Sequence, residues 1–200
     1  MIPVMEQLRS FIAIELPDEF RLELRQLQDR LKSDKQHRVK WLDPDNIHLT
    51  LKFLGNTAIY TIGKITRVIE ETAREIPPFR LTVKDLGVFP DFKRVRVAWI
   101  GIGGEVDKLS QLHQHIESNL MRIGFTPESR PFTPHLTLAR LHNQASSDER
   151  KRFSQLITDT TFIISSAFKV DAISLMRSKL TREGAIYSRI SVIELNSNCL

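Results

Sequence analysis

Two short stretches of the chain alternate between apolar and polar side chains. Between Ile47 and Phe53 every odd position is apolar and every even position is polar, and this period of two is typical of a β-strand with one buried face. The tetrapeptide His-Leu-Thr-Leu lies in this stretch at positions 48–51 and returns at 135–138. Each copy therefore predicts a strand that buries its two leucines and presents its histidine and threonine on the opposite face.

The rest of the chain divides into segments of helical and strand-like spacing. Apolar residues that recur every three or four positions predict helices at about 18–31, 57–76, 106–123 and 146–157. Asp18 is expected to cap the first helix, and Ser146 or Ser147 the fourth. Gly55-Asn56 is expected to end the first motif strand. Apolar runs predict further strands at 9–16, 39–42, 79–88, 95–102, 161–164, 168–176 and 186–195.

The order of these elements lacks the regular alternation of strand and helix that a doubly wound parallel sheet requires. It therefore predicts an α+β protein whose strands are mostly antiparallel. A helix, a loop, a motif strand and a second helix follow one another around 18–76 and again around 105–158. This approximate repeat predicts two similar lobes that meet at a cleft, within a single bilobal domain over residues 1–200.

Composition and charge narrow the possible partners. An apolar content of 41% is ordinary for a packed protein of 200 residues, and the formal charge of +5 favours an anionic partner such as a phosphate or a nucleic acid. The single cysteine, Cys199, excludes an intramolecular disulfide and a cysteine-based metal cluster. With no signal peptide or membrane span apparent, we expect a protein of the reducing cytoplasm without a membrane partner. We also expect a monomer.

At this point the motifs resemble a known family. The phrases that carry the resemblance are Phe11-Ile12-Ala13-Ile14 before Leu16-Pro17, His48-Leu49-Thr50-Leu51-Lys52-Phe53-Leu54-Gly55, Arg130-Pro131-Phe132-Thr133-Pro134-His135-Leu136-Thr137-Leu138-Ala139-Arg140, and a late Ser178, Gly184 and Tyr187. They resemble the 2H phosphoesterase superfamily, and within it the bacterial and archaeal RNA 2',3'-cyclic phosphodiesterases, historically called 2'-5' RNA ligases. The resemblance implies two pseudo-symmetric antiparallel sheets backed by helices, with one motif from each lobe facing a shared basic cleft.

The chemistry of a cyclic phosphate suits these residue types. One group must take a proton from the attacking water while another protonates the leaving ribose oxygen, and imidazole, with a pKa near 6.5, suits both tasks. The resemblance assigns His48 as the proton donor and His135 as the proton acceptor, and the product as a 2'-phosphate. Thr50 and Thr137 are expected to donate hydrogen bonds to the phosphate oxygens. No metal or other cofactor is needed.

Three cations are candidates for binding the substrate. Arg130 and Arg140 flank the second motif and resemble arginines that the family retains. The parity of Arg140 matches that of the buried Leu138, so only a bulge or the strand end would turn it toward His135. Lys52 has the parity of His48, although a solvated surface lysine fits the same pattern.

Other candidate residues have weaker patterns. Phe11, Trp41 and Tyr187 are possible base-stacking residues, although aromatic residues at strand positions are more often part of the core. His113 and His115 lie about 200° apart on a helix, so they cannot share a metal ion, and we interpret them as helix-surface residues.

Three functions fit the sequence. The first is metal-independent hydrolysis of RNA 2',3'-cyclic phosphate ends, with reversible 2'-5' ligation as an associated reaction. The second changes only the substrate, to a small cyclic or 2'-linked nucleotide. The third is a non-catalytic module that binds RNA ends. The presence of two histidines and two threonines favours catalysis, because binding alone requires cations but no paired acid and base.

Overall fold

The computed structural model describes residues 6–32, 36–161, 166–181 and 184–196. These residues form four helices, α1 (Asp18–Leu31), α2 (Ile62–Glu75), α3 (Val106–Arg122) and α4 (Ser147–Asp159). They also form nine strands, β1 (Gln7–Glu15), β2 (Val39–Trp41), β3 (His48–Ala58), β4 (Phe79–Phe89), β5 (Val97–Gly104), β6 (His135–Leu141), β7 (Ala167–Val170), β8 (Ala172–Leu180) and β9 (Ala185–Glu194). No helix in the described ranges is long and apolar enough to cross a membrane.

All nine strands belong to one sheet with the order β7-β4-β5-β6-β3-β1-β8-β9, and β2 pairs with β6. Every pairing is antiparallel, which confirms the predicted α+β class. The sheet has a β1 half (β3, β1, β8 and β9) and a β5 half (β7, β4, β5 and β6, with β2). The two predicted sheets thus meet at β3 and β6, through the single residue pair Leu49 and Leu136.

The helices cover one face of this sheet. Leu49, Leu136 and Leu138 are fully buried in a core that also contains the apolar residues of α1, α2 and α3. Burying one leucine of this kind contributes about 1.5–3 kcal/mol, so the predicted leucine faces of both motif strands are strongly fixed. On β1, Phe11 and Ala13 alternate with the core residues and form a small cluster on the opposite face with Met176 and Tyr187.

The predicted end of the first motif strand at Gly55-Asn56 is wrong. Strand β3 continues to Ala58 because residues 55–58 pair with Gln7 to Ser10 of β1. Ser10 pairs with Gly55 whereas Phe11 pairs with Phe53, so Leu54 is an extra residue in a β-bulge. Gly55 accommodates this bulge with a φ of 71°, which other residues adopt only with strain. Helix α2 consequently begins at Ile62, later than predicted.

The predicted single strand at 168–176 is two strands. β7 pairs with β4 in the β5 half, whereas β8 pairs with β1 in the β1 half, so the chain crosses between the halves at Asp171. A continuous apolar pattern does not show such a crossing. The strand predicted at 161–164 falls largely outside the described residues.

The predicted ends of the helices agree in part with the structure. Ser146 caps α4 in a capping box with Glu149, as the sequence predicts. Helix α3 ends at Arg122, two residues before Gly124, which has a φ of 95°. The prediction that Asp18 caps α1 is wrong, because Pro17 occupies the capping position and Asp18 already lies in the first turn.

Candidate active site

The four motif residues lie on one face of the sheet, beside the junction of its two halves. Leu49 and Leu136 form the joining pair and point into the core. Because side chains alternate along a strand, the neighbours of these leucines point to the other face. These neighbours are His48 and Thr50 on β3 and His135 and Thr137 on β6, and all four are half-buried.

Each motif strand contains a β-bulge at the last leucine of its motif. In β3, Thr50 pairs with Ala13 and Lys52 pairs with Ile12, so Leu51 is the extra residue. In β6, Thr137 pairs with Trp99 and Ala139 pairs with Ala98, so Leu138 is the extra residue. Beyond an extra residue the alternation of faces is reversed. The fifth residue after each histidine therefore returns to the histidine face.

On β6 this reversal turns Arg140 toward the histidines. Ala139 and Leu141 are buried in the core, while Arg140 is exposed on the opposite face. From that face, the positive charge of Arg140 contributes to lowering the pKa of both His48 and His135. The β-bulge that was needed to turn Arg140 toward His135 is therefore present, at Leu138.

On β3 the same reversal turns Lys52 away from the site, and its predicted contact with the substrate is wrong. The Lys52 side chain is only 3% exposed, and its ammonium lies 2.7 Å from Oε1 of Glu117 on α3. It also donates a hydrogen bond of 2.9 Å to the Thr126 carbonyl. A buried ammonium needs such partners. Phe53 takes the place of Lys52 on the histidine face, where its side chain is 59% exposed.

Arg130 lies in the exposed loop that precedes β6. No hydrogen bond or ion pair joins it to the motif residues within the described part of the chain. The loop is held instead by Phe132, whose ring stacks on His113 with centroids 3.9 Å apart. His113 is thus a packing residue, while Nδ1 of His115 lies 2.9 Å from Oε2 of Glu75. Arg130 stays a predicted substrate contact.

His48 has a fixed ring orientation. Its Nδ1 lies 2.9 Å from the Asn46 carbonyl oxygen, and since a carbonyl only accepts, Nδ1 carries a proton and Nε2 remains available to a substrate. The ring stacks on Phe11 with centroids 4.7 Å apart and meets the edge of Tyr187 at 5.1 Å. Burial lowers the pKa of His48, partly opposed by the Asn46 carbonyl and by the Glu15 charge.

His135 has a matching arrangement in the other half of the sheet. Its Nδ1 lies 2.7 Å from the Thr133 carbonyl oxygen, which again leaves Nε2 available. Phe89 and Trp99 meet the ring edge-on, with centroids at 4.9 and 6.2 Å. Burial lowers the pKa of His135, against the effect of the Thr133 carbonyl and together with Arg140.

Glu15 distinguishes the two histidines, and the sequence interpretation missed it. Glu15 pairs with His48 in the register of β1 and β3. It accepts hydrogen bonds from Arg189 at 2.8 and 2.9 Å and from Ser174 at 2.6 Å. Although burial raises the pKa of Glu15, these donors lower it overall, so the carboxylate stays charged. A charged residue that ends the apolar run from Phe11 to Ile14 was the available signal.

The hairpin of β8 and β9 reaches across both halves of the sheet. Tyr187 on β9 contacts His48, while Gly184 lies against Lys40, which pairs with Arg140 in the register of β2 and β6. A Cβ atom at Gly184 would lie only 2.8 Å from the Lys40 ammonium. The hairpin therefore forms one wall of the site.

Of the aromatic residues considered as base-stacking candidates, Phe11 is 2% exposed and supports His48. Trp41 packs beside Phe153 and donates a hydrogen bond to Gln36. The structure thus places both rings among packing residues, whereas Tyr187 borders the site. No group of three or more His, Cys, Asp or Glu side chains in the described ranges is arranged to hold a metal ion.

Comparisons with known proteins identify the family of this chain. Residues 16–182 match the 2'-5' RNA ligase superfamily. Proteins named RNA 2',3'-cyclic phosphodiesterase from Methanothermobacter thermautotrophicus and Aquifex aeolicus are each 32% identical to this chain; the matches cover 94% and 82% of this chain and 100% and 87% of those proteins. Escherichia coli LigT, solved in complex with 3'-AMP, has a TM-score of 0.74 and 26% identity, covering 95% of this chain and 99% of LigT. As its motifs predict, the chain belongs to the 2'-5' RNA ligase superfamily.

Proposed function

We propose that this protein hydrolyses 2',3'-cyclic phosphate ends of RNA to 2'-phosphate ends by a two-histidine acid–base mechanism. The observation that carries the proposal is the placement of the histidines and threonines of both motifs on one face, each one residue from the pair Leu49 and Leu136 that joins the two halves. Relatives that match nearly the whole chain are named for this activity. LigT has been solved in complex with 3'-AMP, which supports a nucleotide as the kind of ligand.

In the proposed reaction, a water molecule attacks phosphorus and gives a proton to Nε2 of His135. The bond between phosphorus and the ribose 3'-oxygen breaks, and Nε2 of His48 donates a proton to that oxygen. The product carries the phosphate on the 2'-oxygen, and proton exchange with solvent restores both imidazoles. The hydrogen bonds of both Nδ1 atoms to backbone carbonyls keep each Nε2 directed to the substrate.

Charge on the non-bridging oxygens is stabilised by donors on the same face. The hydroxyl groups of Thr50 and Thr137 lie two residues from their histidines, about 7 Å away along each strand, which suits contacts with one phosphate. Arg140 adds a positive charge that acts on both imidazoles. Its fork of N–H donors matches the geometry of a phosphate.

Glu15 supports the assignment of His48 as the acid. Its negative charge favours the imidazolium form of His48. Burial and the Arg140 charge lower the pKa of both imidazoles, and no carboxylate acts on His135. The Glu15 charge is therefore the feature that makes His48 the better candidate for the acid.

The direct test is to treat a short RNA ending in a 2',3'-cyclic phosphate with the purified protein in EDTA, and to determine where the product carries its phosphate. We expect a 2'-phosphate end. The variants His48→Ala and His135→Ala should each lower kcat/KM by about 10²- to 10⁴-fold, as expected for loss of a general acid or base. Retention of kcat/KM within about tenfold of the wild type in both variants would remove the two-histidine mechanism.

Ligation would use the same groups. If the 5'-hydroxyl of a second RNA attacks phosphorus in place of water, loss of the 3'-oxygen gives a 2'-5' linkage, and the reverse reaction restores the cyclic phosphate. The superfamily name supports this reaction as a second activity of the same site. Adding an RNA with a 5'-hydroxyl end to the assay and looking for a joined product tests it.

A further inference from the structure

A row of three residues crosses the β5 half of the sheet from His135 on the histidine face. Gly101 of β5 pairs with His135 of β6, and Lys84 of β4 pairs with Gly101. Residues that pair directly across strands point to the same face, so Lys84 and His135 lie on one side of the sheet. Two steps between neighbouring strands place their Cα atoms about 10 Å apart.

Glycines on β5 allow the Lys84 side chain to lie along the sheet. A Cβ atom at Gly101 would be 3.5 Å from Cγ of Lys84, and one at Gly103 would be 3.7 Å from Cδ of Lys84. The stem of the lysine therefore reaches over β5, which is the direction of β6. The Trp99 ring borders the same place, because it would be 3.4 Å from a Cβ atom at Gly101. The lysine stem and the indole ring thus form a flat surface beside His135.

The Lys84 ammonium is available to an anion. Lys84 is exposed, and among the residues that the structure describes none forms an ion pair with it. Lys84 pairs with Gly101 whereas Leu86 pairs with Ile100, so Asp85 is the extra residue of a β-bulge, and its φ of 39° is uncommon for a residue other than glycine. This bulge lets Lys84 point to the histidine face while Leu86 packs against the core.

The proposed reaction assigns the β5 half to the group that attacks phosphorus. The attacking and leaving oxygens lie on opposite sides of phosphorus, and His48 protonates the leaving 3'-oxygen. The ribose of the cyclic phosphate therefore lies toward His48 and the β1 half, whereas the attacking group lies toward His135 and the β5 half. In ligation the attacking group is the 5'-hydroxyl of a second RNA, and the rest of that RNA needs room on the same side.

We propose that the surface formed by Lys84, Gly101, Gly103 and Trp99 binds the second RNA, which supplies the 5'-hydroxyl. The 5'-terminal nucleoside lies on this surface beside His135, and the Lys84 ammonium binds the phosphate on the 3' side of that nucleoside. An ammonium suits this contact because it is a point charge with three rotatable donors. This inference rests on the proposed function and specifies which RNA occupies the β5 half.

The test uses the reverse of ligation, in which a 2'-5' linkage is broken. The adjacent 3'-hydroxyl attacks phosphorus and gives its proton to His48, and the leaving 5'-oxygen takes a proton from His135. Two substrates are compared, a 2'-5'-linked uridine dinucleotide that ends in a 3'-hydroxyl and the same dinucleotide that ends in a 3'-phosphate. An exposed contact between an ammonium and a phosphate contributes about two- to fivefold, so kcat/KM should be higher by this factor for the substrate with the 3'-phosphate.

Variants assign this preference to Lys84. Lys84→Ala should remove the preference and leave the hydrolysis of uridine 2',3'-cyclic phosphate unchanged, which also controls for folding. Lys84→Arg should retain the preference, because the positive charge remains. Lys151→Ala, which removes an exposed lysine from α4, should change none of the three reactions.

The outcomes separate this inference from the proposed hydrolysis. Equal wild-type rates for the two dinucleotides, an unchanged preference in Lys84→Ala, or an equal loss of cyclic phosphate hydrolysis in that variant would overturn the inference while the hydrolysis stands. Cleavage of neither dinucleotide by a protein that hydrolyses the cyclic phosphate would also overturn it. Turnover of none of the substrates would overturn the proposed function and this inference with it.

Discussion

Lys52 offers a sharp test of the reversal of faces at the β3 bulge. The substitution Lys52→Met keeps much of the side-chain volume but leaves the Glu117 carboxylate and the Thr126 carbonyl without their buried partner. Breaking a buried ion pair costs about 3–5 kcal/mol. Glu117 keeps 16% of its side chain exposed and has His113 at 3.9 Å, so we expect a loss of about 2–4 kcal/mol in the free energy of unfolding.

The assay is thermal unfolding combined with kinetics well below the transition. For a chain of this size the melting temperature should fall by about 4–16 °C, while kcat/KM for a short RNA ending in a 2',3'-cyclic phosphate stays at the wild-type value. Lys151→Met is the matched control on α4, and it should change the free energy of unfolding by less than about 0.5 kcal/mol.

The double variant Lys52→Met, Glu117→Leu should recover part of the loss, because it removes both buried charges. A Lys52→Met protein that melts like the wild type but has a raised KM would refute the reasoning. That result would place the lysine at the substrate, on the histidine face.

Three further predictions concern the site and its strands. Arg140→Ala should lower kcat/KM by about 10- to 100-fold, from the loss of a charge-assisted contact of about 1.5–3 kcal/mol, and steady-state kinetics beside circular dichroism would separate this effect from misfolding. The negative charge of Glu15 raises the pKa of His48; Glu15→Gln should therefore move the alkaline limb of the kcat/KM profile to lower pH, and an unmoved limb would contradict the acid role of His48. Gly55→Ala should cost about 1–2 kcal/mol because Gly55 has a φ of 71°. Gly63→Ala, in helix α2 with open space around it, should instead stabilise by up to about 1 kcal/mol, as measured by urea unfolding of both variants.

The sequence predicts well the features that a local pattern determines. Alternation between Ile47 and Phe53 predicts the strand and its buried leucines, because burial on one face requires a period of two. Apolar residues at every third or fourth position predict all four helices, because a helix that buries one face has that spacing. The repeated His-Leu-Thr-Leu also predicts which residues share the site face, because both copies precede the bulges.

The sequence predicts poorly whatever depends on a partner strand. The bulges at Leu51 and Leu138 leave no mark in the apolar pattern, since one extra residue only shifts its phase. Parity therefore placed Lys52 on the wrong face and made the direction of Arg140 depend on an unseen irregularity. The role of Glu15 was missed because its importance arises from its register with His48 and its contacts with Arg189 and Ser174, which are distant in sequence.

The two bulges also give the site a direction. Phe53 and Arg140 occupy the same position after their histidines, yet one is an exposed ring and the other a guanidinium. Two strands with an identical tetrapeptide therefore differ in chemistry at the first position beyond it that faces the ligand. A nucleotide also has two chemically different parts, a flat base and an anionic phosphate. For the RNA end that we propose as the substrate, we therefore expect the two halves of the sheet to favour one polarity of binding over the other.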